Sequence, residues 1–167
     1  MDNLVSFRSN TDGTAAASLD WKRAHAELMM LAHRQATLDT EIGSWLLYAR
    51  RARTHAWLGY ASITEYARQL FGFTPRQTLE RLRVAETLEE LPVLDCAFRE
   101  GKLCWSAVRE LTRVASPETE AEWLAAAHGR GAHQVEEMVQ GRTRGDRPSD
   151  PVKLAGKTWA HLRRPPA

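Results

Sequence analysis

A chain of 167 residues, 43% hydrophobic and 26% charged, has the length of one ordinary domain with tails and the composition of a globular protein. That excludes disorder throughout, and no window approaches the roughly 18 consecutive apolar residues of a membrane span. The formal charge of +2 conceals a segregation. Residues 45–83 carry seven arginines against Glu65 and Glu80, residues 84–140 carry eleven acidic against five basic side chains, and residues 141–167 carry seven basic side chains against Asp146 and Asp150. Basic charge gathered in this way suits a polyanion, because each phosphate neutralised releases counterions. It equally suits arginines that solvate helix faces and balance the acidic half within the fold.

Residues 1–17 are Ser-, Thr-, Asn-, Asp- and Ala-rich with little periodicity and read as a flexible leader. They lack the basic-then-apolar pattern of a secretory signal, so the cytoplasm is the expected compartment. Residues 18–141 read as a helical domain. Asp20 is placed to cap a long helix reaching about Arg53, with small or apolar residues at Trp21, Ala24, Leu28, Leu31, Leu38, Ile42, Trp45, Ala49 and Ala52 and Gln35 in the one polar slot. Steps of three and four produce a continuous stripe, which must bury against later helices or against a second copy of the chain. Gly43 weakens this helix by about 1 kcal/mol relative to alanine.

The segment His55–Ala61 is the corner out of the long helix, with Gly59 permitting the turn. Residues 62–91 then spell two helices around Gly72. Ser62 with Glu65 forms an S-x-x-E capping box, and Thr74 with Gln77 forms a T-x-x-Q box with Pro75 at the first helical position. A short helix, a glycine turn and a longer helix make a helix-turn-helix-like pair, whose second helix can enter a major groove. Tyr66, Ala67, Leu70 and Phe71 are expected to pack the first helix, and Leu79, Leu82 and Ala85 to anchor the second. That leaves Arg76, Gln77, Glu80, Arg81 and Arg83 facing outward. Arginine and glutamine are the side chains that read guanine and adenine edges, and Thr74 at a helix N-terminus suits a phosphate. The five-residue step from Ala67 to Gly72 is one longer than the common motif.

Leu91-Pro92 ends the second helix. A short helix over Val93–Glu100, stopped by Gly101, comes next, followed by helices over Trp105–Ala115, from Ser116-Pro117 to Gly129, and over Ala132–Gln140. Nothing alternates like a strand, so the expected class is all-α with six or seven helices. Cys96 and Cys104 lie in apolar helical surroundings and read as small buried thiols without a disulfide. Residues 142–167 turn basic and rich in proline and glycine, and read as an extended tail or a truncated linker to a missing domain.

Motifs for catalysis do not occur. No two histidines stand at the i, i+4 spacing of a helical metal pair, there is no C-x-x-C, and the phosphate-loop, dinucleotide and nucleophile-elbow patterns are missing. The acidic clusters Glu118–Glu122 and Glu136-Glu137 suit helix starts and solvent faces. No catalytic residue, metal ligand or cofactor is expected, and a nuclease assay with divalent metal should show no cleavage.

The order of motifs over residues 20–150 resembles the helical module of unknown function, of the 13E12 repeat type, on the N-terminal side of many bacterial HNH endonuclease proteins. The resemblance rests on the Gly72-Phe73-Thr74 turn, the Arg81–Ala85 helix, Leu91-Pro92, the Gly101-x-Leu103-x-Trp105-Ser106 start, the Arg109–Ala115 helix, Pro117–Glu120 with Trp123-Leu124, and the Gln134–Val139 helix. It implies association with DNA cleavage, without the HNH domain itself, so no catalytic residue carries over. Two functions are therefore expected in competition. One is a DNA-binding module in which Thr74, Arg76, Gln77, Arg81 and Arg83 read or grip double-stranded DNA, with Arg50, Arg51 and Arg53 on phosphates. The other is a protein-interaction module that homodimerises through the Trp21–Ala52 stripe.

Overall fold

The computed structural model describes residues 12–152, with side chains from residue 20 onward. Every regular element among them is helical: α1 (Asp12–Arg51), α2 (Thr54–Trp57), α3 (Ile63–Phe71), α4 (Pro75–Leu88), α5 (Pro92–Arg99), α6 (Trp105–Val114), α7 (Glu120–Ala127) and α8 (Ala132–Val139). The all-α class holds. The eighth element is α2, a single turn formed inside the expected corner after Arg53 adopts a left-handed conformation at φ 54°. None of these helices is long and apolar enough to cross a membrane.

Two boundaries differ from expectation. Asp20 does not start α1, which begins at Asp12, so residues 12–17 of the expected leader are helical; residues 1–11 lie outside the described part. The Ser116-Pro117 start opens a turn in which the Thr119 Oγ1 accepts from the Ser116 N–H, and α7 itself begins at Glu120.

Of the two capping boxes expected around Gly72, the Thr74–Gln77 box forms and the Ser62–Glu65 box forms only in part. The Thr74 hydroxyl accepts from the Gln77 N–H at 3.2 Å while the Gln77 side chain accepts from the Thr74 N–H at 2.8 Å. Ser62 accepts from the Glu65 N–H at 3.1 Å, but the Glu65 carboxylate returns to the Ala61 N–H instead of closing the box on Ser62. Gly72 holds φ 70° and ends α3. Each satisfied N–H is an orphan donor removed from a helix end, worth about 1 kcal/mol.

Helix α4 occupies the centre, packed by α1, α3, α5 and α6. On one side Leu82 joins Leu46, Leu47, Ile63 and Ala67. On the other, Val84 and Leu88 join a larger core with Leu91, Phe98, Leu111 and Trp123. The α1 residues that face inward are Ala36, Asp39, Thr40, Gly43, Leu46 and Leu47. Small side chains let the two helices approach, and a Cβ on Gly43 would lie 3.6 Å from that of Ala85.

Ile42 and Ala49 of the α1 stripe pack, half-buried, against the Leu46–Leu47 cluster, but the rest of the stripe does not do the folding. Trp21, Leu28, Leu31, Leu38 and Trp45 are all exposed, and Leu70, Phe71 and Leu79, expected inside the helix pair, are exposed as well. Both cysteines are free and also face solvent rather than the interior.

Residues 142–150 do not extend away from the domain. Arg142 donates to the carbonyls of Met138, Arg147, Pro148 and Asp150, the Gly145 N–H donates to the Val114 carbonyl, and the Trp123 indole N–H donates to the Asp146 carbonyl. The expected tail begins as a loop laid over α6 and α7; its residues from 153 onward lie outside the described part.

Candidate nucleic-acid interface

The arginines expected to form a single outward array divide into four environments. Arg81 is interior, its side chain 13% exposed. Its guanidinium is held between the Phe73 and Trp105 rings, 4.5 and 4.4 Å from their centroids, and its Nη1 stands 2.7 Å from the Asp39 carboxylate. That nitrogen makes no aligned hydrogen bond, so the contact is a close ion pair held by charge and stacking rather than a bidentate fork. Arg81 is thus a packing element between α1, α4 and α6, not the outward reader the helix pattern implied.

Arg83 stays at the surface but bridges helices. It donates to the Glu80 carboxylate at 2.7 Å, to the Arg109 carbonyl at 3.1 Å and to the Thr112 hydroxyl at 3.3 Å. Arg50 pairs with Glu86 and Arg51 forks onto Glu89 at 2.6 and 2.7 Å. The Arg51 hydrogen bond holds the Glu89 carboxyl below its ordinary range, and Glu89 in turn raises the Arg51 guanidinium. These pairs join the basic first half of the chain to the acidic second half. Arg53 is exposed in its left-handed turn.

Thr74 and Gln77 are turned toward each other's backbone at the start of α4, and Arg76 beside them is exposed. This end of α4 opens onto a cleft of 1060 Å³ between α4, α6 and α8. Six arginines line it against three glutamates: Arg76, Arg81 and Arg83 come from α4, Arg109 and Arg113 from α6, and Arg144 from the loop after α8. Glu110, buried on α6, takes Arg109 at 2.8 Å and Arg113 at 3.0 Å, and Arg144 reaches Glu90 at 2.6 Å. Arg113 keeps 62% of its side chain exposed and Arg144 keeps 48%.

Arg109, Arg113 and Arg144 are the residues that sequence reasoning missed. The i, i+4 spacing of Arg109 and Arg113 on one helix face was the available signal. Nothing local connects them to Arg76. Among the described residues no group of three or more histidine, cysteine or carboxylate side chains could hold a metal ion. The buried Glu120 accepts from the Val93 and Leu94 N–H groups at 3.0 and 3.1 Å and so caps α5. The chain matches no protein-family model, no curated protein and no solved structure, which leaves its own side chains as the ground for a functional reading.

Proposed function

We infer that the chain is a DNA-contacting helical module that grips duplex phosphates with the arginines of the α4–α6–α8 cleft, without reading base edges through α4. The supporting observation is the convergence of Arg76, Arg83, Arg109, Arg113 and Arg144, from three separated stretches of sequence, on one open cleft. The pairs of Arg83 with Glu80 and of Arg144 with Glu90 are at least a third exposed, and such pairs are worth roughly 0–1 kcal/mol, so a phosphate can replace these glutamates at little cost. Glu110 is buried, so Arg109 and Arg113 keep it as their partner and offer a phosphate their remaining guanidinium donors. The central packing of α4 and the burial of Arg81 speak against a helix lying in the major groove along its length. The resemblance to the module accompanying HNH nucleases makes double-stranded DNA the polyanion to test first.

Fluorescence anisotropy with a labelled random-sequence duplex tests this. Binding should be present at low salt, nearly indifferent to sequence, and lost as salt rises. Replacing Arg76 and Arg113 by alanine should weaken it about tenfold and flatten the salt slope by roughly 1 for each phosphate contact removed. No binding at low salt, or binding untouched by both substitutions, overturns the assignment.

A further inference from the structure

Helix α1 leaves most of its apolar stripe uncovered, with Trp21 59%, Leu28 65%, Leu38 57% and Trp45 67% exposed, while Ile42 and Ala49 are half-buried. The stripe is a strict heptad seam of ten positions from Trp21 to Ala52, with Gln35 as its one polar member. Beside its second half Tyr66, Leu70 and Phe71 of α3 form the far wall of an apolar groove of 410 Å³. One half of the seam is thus a free helix and the other half is a groove. We propose that this surface binds a second copy of the chain, the two α1 helices lying antiparallel so that the free half of each fills the groove of the other.

Residue chemistry selects the register. Centred between Ala36 and Thr37, the pairing sets Trp21 over the partner's Ala52, Ala24 over the partner's Ala49, Leu28 over the partner's Trp45, Leu31 over the partner's Ile42, and Gln35 beside the partner's Leu38. Every seam position is used, and the bulky Trp21 meets an alanine. Flanking the seam, Arg34 faces the partner's Glu41, and by symmetry this pair occurs twice; both side chains are exposed in the single chain. A shift of one heptad in one direction sets Glu27 against the partner's Glu41 and Arg34 against the partner's Arg34. A shift in the other sets Glu41 against the partner's Glu41 and strands Trp21. A parallel pair brings both α3 walls to the same end of the seam, whereas the antiparallel pair places the two bodies at opposite ends. The exposed apolar side chains of the seam and groove amount to roughly 800 Å² per protomer, the size of a standard stable interface. The overlap runs about 48 Å.

Sedimentation velocity on the full chain over a concentration series is the test. A dimer is expected, and Leu28→Asp, at an exposed site, should dissociate it while far-UV circular dichroism still reports a folded helical chain. Arg34→Glu and Glu41→Arg should each weaken self-association about tenfold, and mixing the two single variants should restore it as a heterodimer, because both flanking pairs are then attractive. A concentration-independent monomer overturns the proposal. A dimer that ignores both charge reversals, or is not restored by mixing, overturns the antiparallel register. Neither result bears on DNA binding at the cleft, which is measured separately.

Discussion

Arg81 and Asp39 illustrate what a single residue does here beyond its sequence neighbourhood. Burying either charge alone is costly, and the pair persists because the Phe73 and Trp105 faces stabilise the guanidinium while Asp39 balances it. Arg81→Ala should therefore lower the unfolding free energy by about 3 kcal/mol, most of it from leaving Asp39 buried without a partner. Replacing both residues by apolar ones should recover much of that loss, which urea denaturation of the four proteins would measure as a coupling. Additive effects would mean the two charges are independent. The same result explains why Arg81→Ala is a poor test of DNA binding, since it unsettles the fold before it removes a contact. Thr74 with Gln77 was legible because both partners lie within one helical turn, whereas the setting of Arg81 depends on Asp39 of α1 and Trp105 of α6, which no local pattern connects.

At the scale of an element, α1 carries two faces with different tasks. Hydropathy selects the Trp and Leu stripe as the side to bury, yet the side that folds is marked by small residues at Ala36, Thr40 and Gly43. A large side chain signals burial in general; it does not say whether the partner is the same chain. Close approach of α1 to α4 is achieved through Gly43, and the space there is an ordinary contact rather than a clash for one added methyl group. Gly43→Ala should therefore stabilise the chain by about 0.5–1 kcal/mol through helix propensity, seen as a raised midpoint in thermal or urea unfolding. A bulkier residue such as leucine should reverse the sign by forcing α1 off Ala85. If Gly43→Ala destabilises, the α1–α4 contact is tighter than its geometry indicates. Helix ends told the same story in miniature: Pro75, Pro92 and Gly72 punctuate the chain where expected because their constraints are local. The single turn of α2 carries no periodic signal at all.

For the molecule as a whole, the limit of the folded domain lies beyond the glycine that ends α8. Composition after Gly141 resembles a linker because it offers few apolar side chains, but the stretch 142–150 is held by backbone acceptors, which composition does not reveal. Arg142 supplies the guanidinium donors for four carbonyls and lies 5.6 Å from the Trp123 ring, while the loop satisfies the indole N–H of a tryptophan that is otherwise fully buried. Arg142→Ala should cost about 2 kcal/mol, since hydrogen bonds from a charged donor are worth roughly 1.5–3 kcal/mol and the orphaned carbonyls regain only some of that from water. Ending the chain at Gly141 should cost more, because it also leaves the Trp123 N–H without its acceptor and the Val114 carbonyl without the Gly145 donor. Lysine in place of Arg142 should not restore stability, for one ammonium cannot span acceptors spread from Met138 to Asp150. Chemical denaturation of the three variants, followed through the fluorescence of the remaining tryptophans, orders these losses. An unfolding midpoint unmoved by Arg142→Ala would mean the loop is appended to a domain that is complete without it. It would also free Arg144, at the rim of the basic cleft, from the fixed position on which its share of the DNA contact depends.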